Sequence, residues 1–82
     1  MNATEYVQTV TSDSGRRLYV IAEWNERTGQ WHAPINDAER AAHPEHCYAF
    51  ARTLRSLLSL GGIWVYRTKR AALKRAAMIL GE

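Results

Sequence analysis

Apolar and polar positions change period several times along the chain, and each change marks an element. Residues 4–11 (Thr-Glu-Tyr-Val-Gln-Thr-Val-Thr) are rich in β-branched side chains and predict a strand. Ser12-Asp13-Ser14-Gly15 then supplies turn chemistry. Residues 17–24 alternate strictly, with Leu18, Val20, Ala22 and Trp24 on one face and Arg17, Tyr19, Ile21 and Glu23 on the other. A period of two predicts a strand, its first set facing the core. Residues 25–29 read as a hairpin loop in which Gly29 takes a positive φ. Residues 30–33 form a third, short strand ended by Pro34.

The middle of the chain reads as helix. Asn36 caps a short helical turn through Ala42, with Asp37 and Glu39 favourably placed against the helix dipole. His43-Pro44 restarts the chain, with proline at a first helical position and Glu45 after it. From Cys47 onward, Cys47, Phe50, Ala51, Leu54, Leu57 and Leu58 follow helical spacing, while Arg52, Arg55, Ser56 and Ser59 fall opposite. This predicts one long helix stopped by Gly61-Gly62. Ile63-Trp64-Val65-Tyr66-Arg67 is a β-prone run, a fourth strand. Thr68 caps a last helix that runs to about Leu80 and ends at Gly81, with Ala72, Leu73, Ala76, Ala77, Ile79 and Leu80 on one arc and Arg70, Lys74 and Arg75 on the other. The expected fold is α+β: a mainly antiparallel sheet of three or four strands, in the order β-β-β-α-β-α, with two amphipathic helices packed on one face.

Size adds a constraint. Residues 1–82 are expected to form a single compact domain with one core, and three Trp, four Tyr and one Phe supply bulk for it. One cysteine, Cys47, permits no internal disulfide, which points to a reducing compartment. The first residues show neither the basic nor the apolar region of a signal peptide, and the most apolar stretch, near residues 57–66, falls well short of the roughly 20 residues a membrane span needs. A cytoplasmic protein with no membrane partner is expected.

Charge changes the picture most. Residues 1–51 carry a net −3 and residues 52–82 a net +6, giving the overall +3. Arg52, Arg55, Arg67, Lys69, Arg70, Lys74 and Arg75 supply all the positive charge of the second part, against Glu82 alone. Lys69 and Arg70 fall in the first turn of the last helix, where the dipole disfavours cations by a few tenths of a kcal/mol each. A cluster placed against the local electrostatics suits an anionic partner, either nucleic-acid backbone or an acidic protein surface. The alternative is a solvated face whose arginine stems cover apolar surface.

Chemistry beyond charge is sparse. Trp64 and Tyr66 leave the sheet opposite Ile63 and Val65, and Tyr19 and Ile21 leave the second strand on its outer side; an uncovered face there would stack bases or anchor an interface, unless a helix or a second copy covers it. His43, His46 and Cys47 lie within five residues, with His32 and Glu39 as further metal ligands to consider. Structural zinc spacings need two separated ligand pairs, so Cys47 is expected as a buried core thiol with exposed histidines beside it, and no metal or other cofactor is expected. A nucleophilic Cys47 lacks an identifiable orienting group and oxyanion site, and Gly61-Gly62 matches no phosphate-binding loop. No catalytic residue stands out.

The expected function is therefore a small non-enzymatic binding protein, an adaptor or inhibitor that masks a surface of a larger host protein or protein–nucleic-acid complex. In general profile it is similar to small phage or mobile-element proteins that block host machinery, CRISPR effector complexes included, although no motif carries a family resemblance. The alternative is a nucleic-acid-binding module using the basic C-terminal helix. A homodimer through the uncovered sheet face or an edge strand is the remaining partner considered.

Overall fold

The computed structural model describes residues 2–81. A 3-10 turn, Ala3–Tyr6, leads into strand β1 (Val7–Thr11), followed by β2 (Arg17–Ile21), β3 (Glu23–Asn25), β4 (Gln30–Pro34), helix α1 (Asp37–Ala42), β5 (Tyr48–Ala51), α2 (Leu54–Leu60), β6 (Val65–Tyr66) and α3 (Lys69–Leu80). The class is α+β, as the residue pattern predicts, and every strand pairing is antiparallel. The strands divide into two three-stranded sheets, β1-β2-β6 and β3-β4-β5, in place of one.

The division happens at Ala22. The alternating run that predicts one strand over 17–24 is interrupted there, where the pairing of β2 with β1 reaches its last rung. The Ala22 N–H donates to the Tyr6 carbonyl at 2.8 Å, and its carbonyl accepts from Gln8 Nε2 at 3.1 Å. With its backbone bonded to the start of β1, the chain leaves the first sheet and pairs with β4 in the second. A second link is an isolated bridge between Ile35 and Ile63. Beside it the Asn36 N–H donates to the Gly62 carbonyl at 2.8 Å, and Asn36 Nδ2 donates to the Ile63 carbonyl at 3.2 Å.

Adjacent residues of a strand point to opposite faces. Val20 and Ile21 are both buried, because β2 is the central strand of its sheet and both faces are covered. Val20 joins Val10, Ala22, Ala33, Ala51, Leu57 and Ile63 in one cluster, which lies among the first sheet, the inner side of the second sheet and α2. Ile21 joins Ala3 and Ala76 in another, with Val7, Trp64, Tyr66 and Ala77 packed against it. The two amphipathic helices expected on one face therefore pack into different clusters: α2 with the Val20 side, α3 with the Ile21 side.

Three caps set the helix starts. Asn36, Thr53 and Thr68 are extended, and their side-chain oxygens accept the N–H of Glu39 (2.9 Å), Ser56 (3.1 Å) and Ala71 (3.2 Å). The Thr53 cap corrects the long helix expected from residue 44. Pro44 and Glu45 form a turn, and residues 48–51 are strand β5, with Ala49 and Ala51 turned inward and Tyr48 and Phe50 outward. Every residue of this segment is apolar, so its period-two burial is masked and the helical spacing of Cys47, Phe50 and Ala51 is coincidental. Cys47, expected in the core, is exposed. Residues 4–6, expected as the start of the first strand, belong instead to the 3-10 turn Ala3–Tyr6 capped by Asn2, whose Oδ1 accepts the Thr4 N–H at 3.0 Å.

Leu57 is the largest fully buried side chain. Leu57→Ala is expected to cost about 3 kcal/mol, while Leu60→Ala, on the exposed side of the same helix, stays within about 0.5 kcal/mol. Urea unfolding of the two variants checks the difference.

Candidate partner-binding surface

Helix α3 is built so that its cations cannot face inward. Ala72 and Ala76 are fully buried, and their small side chains let the helix backbone lie close to the sheet. At 100° per residue, Arg70, Lys74 and Met78 then form an i, i+4, i+8 row pointing away from it. All three are exposed, Met78 to 60%. Arg67, just before the helix, and Lys69, at its first position, are exposed as well. Among the described residues, no carboxylate pairs with Arg67, Lys69, Arg70 or Lys74. Glu82, the single acid of the second part of the sequence, lies outside the described residues. No acid occupies the first turn of α3, so Lys69 and Arg70 stand against the helix dipole without local compensation.

Arg75 has a different task. It is half-buried, its guanidinium lies 4.1 Å from the centroid of the Trp64 ring, and its Nε donates to the Tyr66 hydroxyl at 3.0 Å. It fastens α3 to β6 by a cation–π contact and a hydrogen bond. Arg52 and Arg55 stand apart from the α3 group. They flank the start of α2, on the Val20 side of the first sheet, and Arg55 is ion-paired with Asp13 of the β1–β2 turn. Both partners of that pair are largely exposed, so it contributes little to stability. Because the helices do not lie side by side, these two arginines do not extend the α3 row.

Of the two alternatives for the aromatic face of the first sheet, the structure shows cover, supplied by α3. Ile21 and Tyr66 pack under α3 and Trp64 lies under Arg75, so that face is covered. The open aromatics belong to the second sheet, Tyr48 at 56% exposure and Phe50 at 49%. Between this face and the end of α3 runs a groove of about 240 Å³, lined by Tyr48, His32, Pro34, Ala76, Ile79 and Leu80 among others. His32 stacks edge-on against Phe50, 4.6 Å between centroids, and its Nε2 is buried without a hydrogen-bond partner. Ile79, 43% exposed, follows Met78 in sequence but lies on the arc of Ala72 and Ala76, where it lines this groove at the end of the helix. Hydropathy patterning assigns Ile79 to the buried arc and identifies neither it nor Met78 as a surface element.

His43 and His46 come together with Glu45, not with Cys47. The helical turn that would have aligned His43 and Cys47 does not form, and His32 belongs to the groove. No helix among the described residues is long and apolar enough to cross a membrane. Comparison with protein-family models, curated proteins and solved structures finds no match to this chain.

The contacts of Arg75 and Lys74 predict opposite behaviour for adjacent residues. Arg75→Ala is expected to destabilise the protein by about 1–2 kcal/mol, through loss of the Trp64 and Tyr66 contacts, and Lys74→Ala by less than about 0.5 kcal/mol. Thermal or urea melts of the two variants provide the measurement.

Proposed function

We propose that this chain is a non-enzymatic binding protein, an adaptor or inhibitor, that covers a surface of a larger protein or nucleoprotein complex with the outer face of α3. One observation carries this reading: among the described residues, four cations without carboxylate partners, Arg67 just before α3 and Lys69, Arg70 and Lys74 on it, accompany exposed Met78 and Ile79. Long-range attraction from the cations would speed encounter with an acidic surface. The apolar end would supply area to bury once the surfaces meet, in the arrangement of an apolar centre with a polar rim that protein interfaces share. A phosphate backbone makes use of the cations but has no use for exposed methionine and isoleucine. Arg75 would act indirectly, by holding α3 at the angle that presents the row.

A narrower proposal, an inhibitor of the phage or mobile-element type such as an anti-CRISPR protein, rests on compact size and the two-sided charge. Action would then be steric and electrostatic masking of host machinery, with no chemical step.

Direct nucleic-acid binding is the second reading, favoured by the same unpaired cations. With four phosphate contacts, affinity for duplex DNA would fall with a log–log salt slope near −3.6.

Capture of partners from nuclease-treated host lysate distinguishes the two. Wild-type protein is expected to retain a partner that both Arg70→Glu/Lys74→Glu and Met78→Ser release. Nucleic-acid binding instead predicts that charge reversal and nuclease each abolish capture while Met78→Ser leaves it intact. Equal capture by wild type and both variants would remove α3 from either role.

A further inference from the structure

The sequence spacing of His43, His46 and Cys47 fits no recognised zinc pattern, yet the folded chain assembles a different set of ligands. We infer that His43, Glu45 and His46 form a surface site for a divalent late transition ion, zinc by preference. One nitrogen of each histidine and one carboxylate oxygen of Glu45 lie within 4.8 Å of one another. His43 Nδ1 and His46 Nε2 each stand 3.7 Å from Glu45 Oε1. Tetrahedral zinc with bonds near 2.0–2.1 Å sets its ligand atoms about 3.3 Å apart, so these two edges need to close by only about 0.4 Å. The third edge, between the histidines, closes further by rotation of the exposed His46 ring; the two imidazoles are already stacked, 5.1 Å between centroids.

An outer partner is present too. Glu39 Oε1 lies 3.9 Å from His43 Nε2. With an ion on Nδ1 the ring proton of His43 sits on Nε2, the nitrogen on the Glu39 side. Glu39 is itself positioned by packing. It stands one turn before His43 on α1, and its side chain lies over Gly62, where an added Cβ would come within 2.9 Å of Glu39 Cγ. Metal-binding histidines are commonly oriented by a carboxylate in this way, and an exposed histidine pair of no consequence has no need of one.

Donor chemistry selects the ion. Two imidazoles and one carboxylate suit zinc, copper and nickel, whereas magnesium and calcium require a shell made largely of oxygen. Three protein ligands leave a fourth position open to water or to a group from another molecule. The bound ion would tie the end of α1 to the start of β5, across the turn at Pro44-Glu45. This site is independent of α3 and of the function proposed for it.

Calorimetric titration of the intact protein with zinc chloride tests the assignment, with magnesium chloride as the control. One zinc per chain and no magnesium uptake are expected. Glu39→Gln, which removes the outer carboxylate, should weaken zinc by roughly tenfold, the low end of the range usual for an outer-shell partner, and removal of both imidazoles in His43→Ala/His46→Ala by at least roughly 100-fold. All three positions are at or near the surface, and circular dichroism confirms that the variants fold. Zinc-edge X-ray absorption should show nitrogen and oxygen neighbours at about 2.0–2.1 Å. Failure to take up zinc, uptake that survives the double variant, or a spectrum dominated by sulfur would each overturn the site.

Discussion

The close approach of α3 to the first sheet, through Ala72 and Ala76, is the contact on which the surface of this protein depends. Both alanines are fully buried, and β2 supplies Ile21 beneath Ala76. An alanine contact is short. A helix resting that near a sheet has no room for long side chains on its inner arc, so cations carried by the helix must project from its flanks and back. Arg75, on one flank, is absorbed by Trp64 and Tyr66. Arg70 and Lys74, on the back, have nothing to meet but solvent or another molecule. The placement of charge in this fold thus follows from the size of two side chains on the opposite side of the helix.

The second determinant is the passage of the chain between sheets at Ala22. Two hydrogen bonds to the start of β1 end the pairing of β2, and the next three residues serve a different sheet. Val20 and Ile21 consequently serve two clusters, α2 closes one and α3 the other, and Arg52 and Arg55 are separated from the remaining cations. The same division opens the outer face of the second sheet, so that Tyr48 and His32, the latter packed on Phe50, border a groove against the end of α3. Apolar and cationic surfaces become neighbours through this topology rather than through their order in the sequence.

Much of this architecture is legible in the amino-acid sequence, because local rules decide it. The turn at residues 12–15, the hairpin at 25–29, the caps at Asn36 and Thr68, and the stops at Gly61 and Gly81 all form where their side chains predict. Other features depend on partners distant in sequence. Nothing in residues 17–24 signals that Tyr6 and Gln8 will capture Ala22. Between residues 47 and 58 an all-apolar strand imitates a helical stripe that continues into α2, and the hydropathy period does not register the boundary that the Thr53 cap sets between them. The cationic row along Arg70 and Lys74 follows from helical spacing, whereas the engagement of Arg75 requires β6 to lie alongside. Glu39 and Glu45 gain significance only once the turn at Pro44 folds them around His43.

The proposed function places the contact surface at the back of α3, and the sequence offers a direct probe of it. Its two lysines, Lys69 and Lys74, both lie on that helix. Amine-selective labelling resolved peptide by peptide in the mass spectrometer, on the free protein and on its captured complex, reports the helix through its two side-chain amines, separately from the α-amine. Both lysines should react readily in the free protein and be shielded in the complex, with Lys74 protected most strongly because it faces directly away from the sheet. Labelling of Lys74 that is unchanged by the partner would contradict the assignment of α3 as the contact surface.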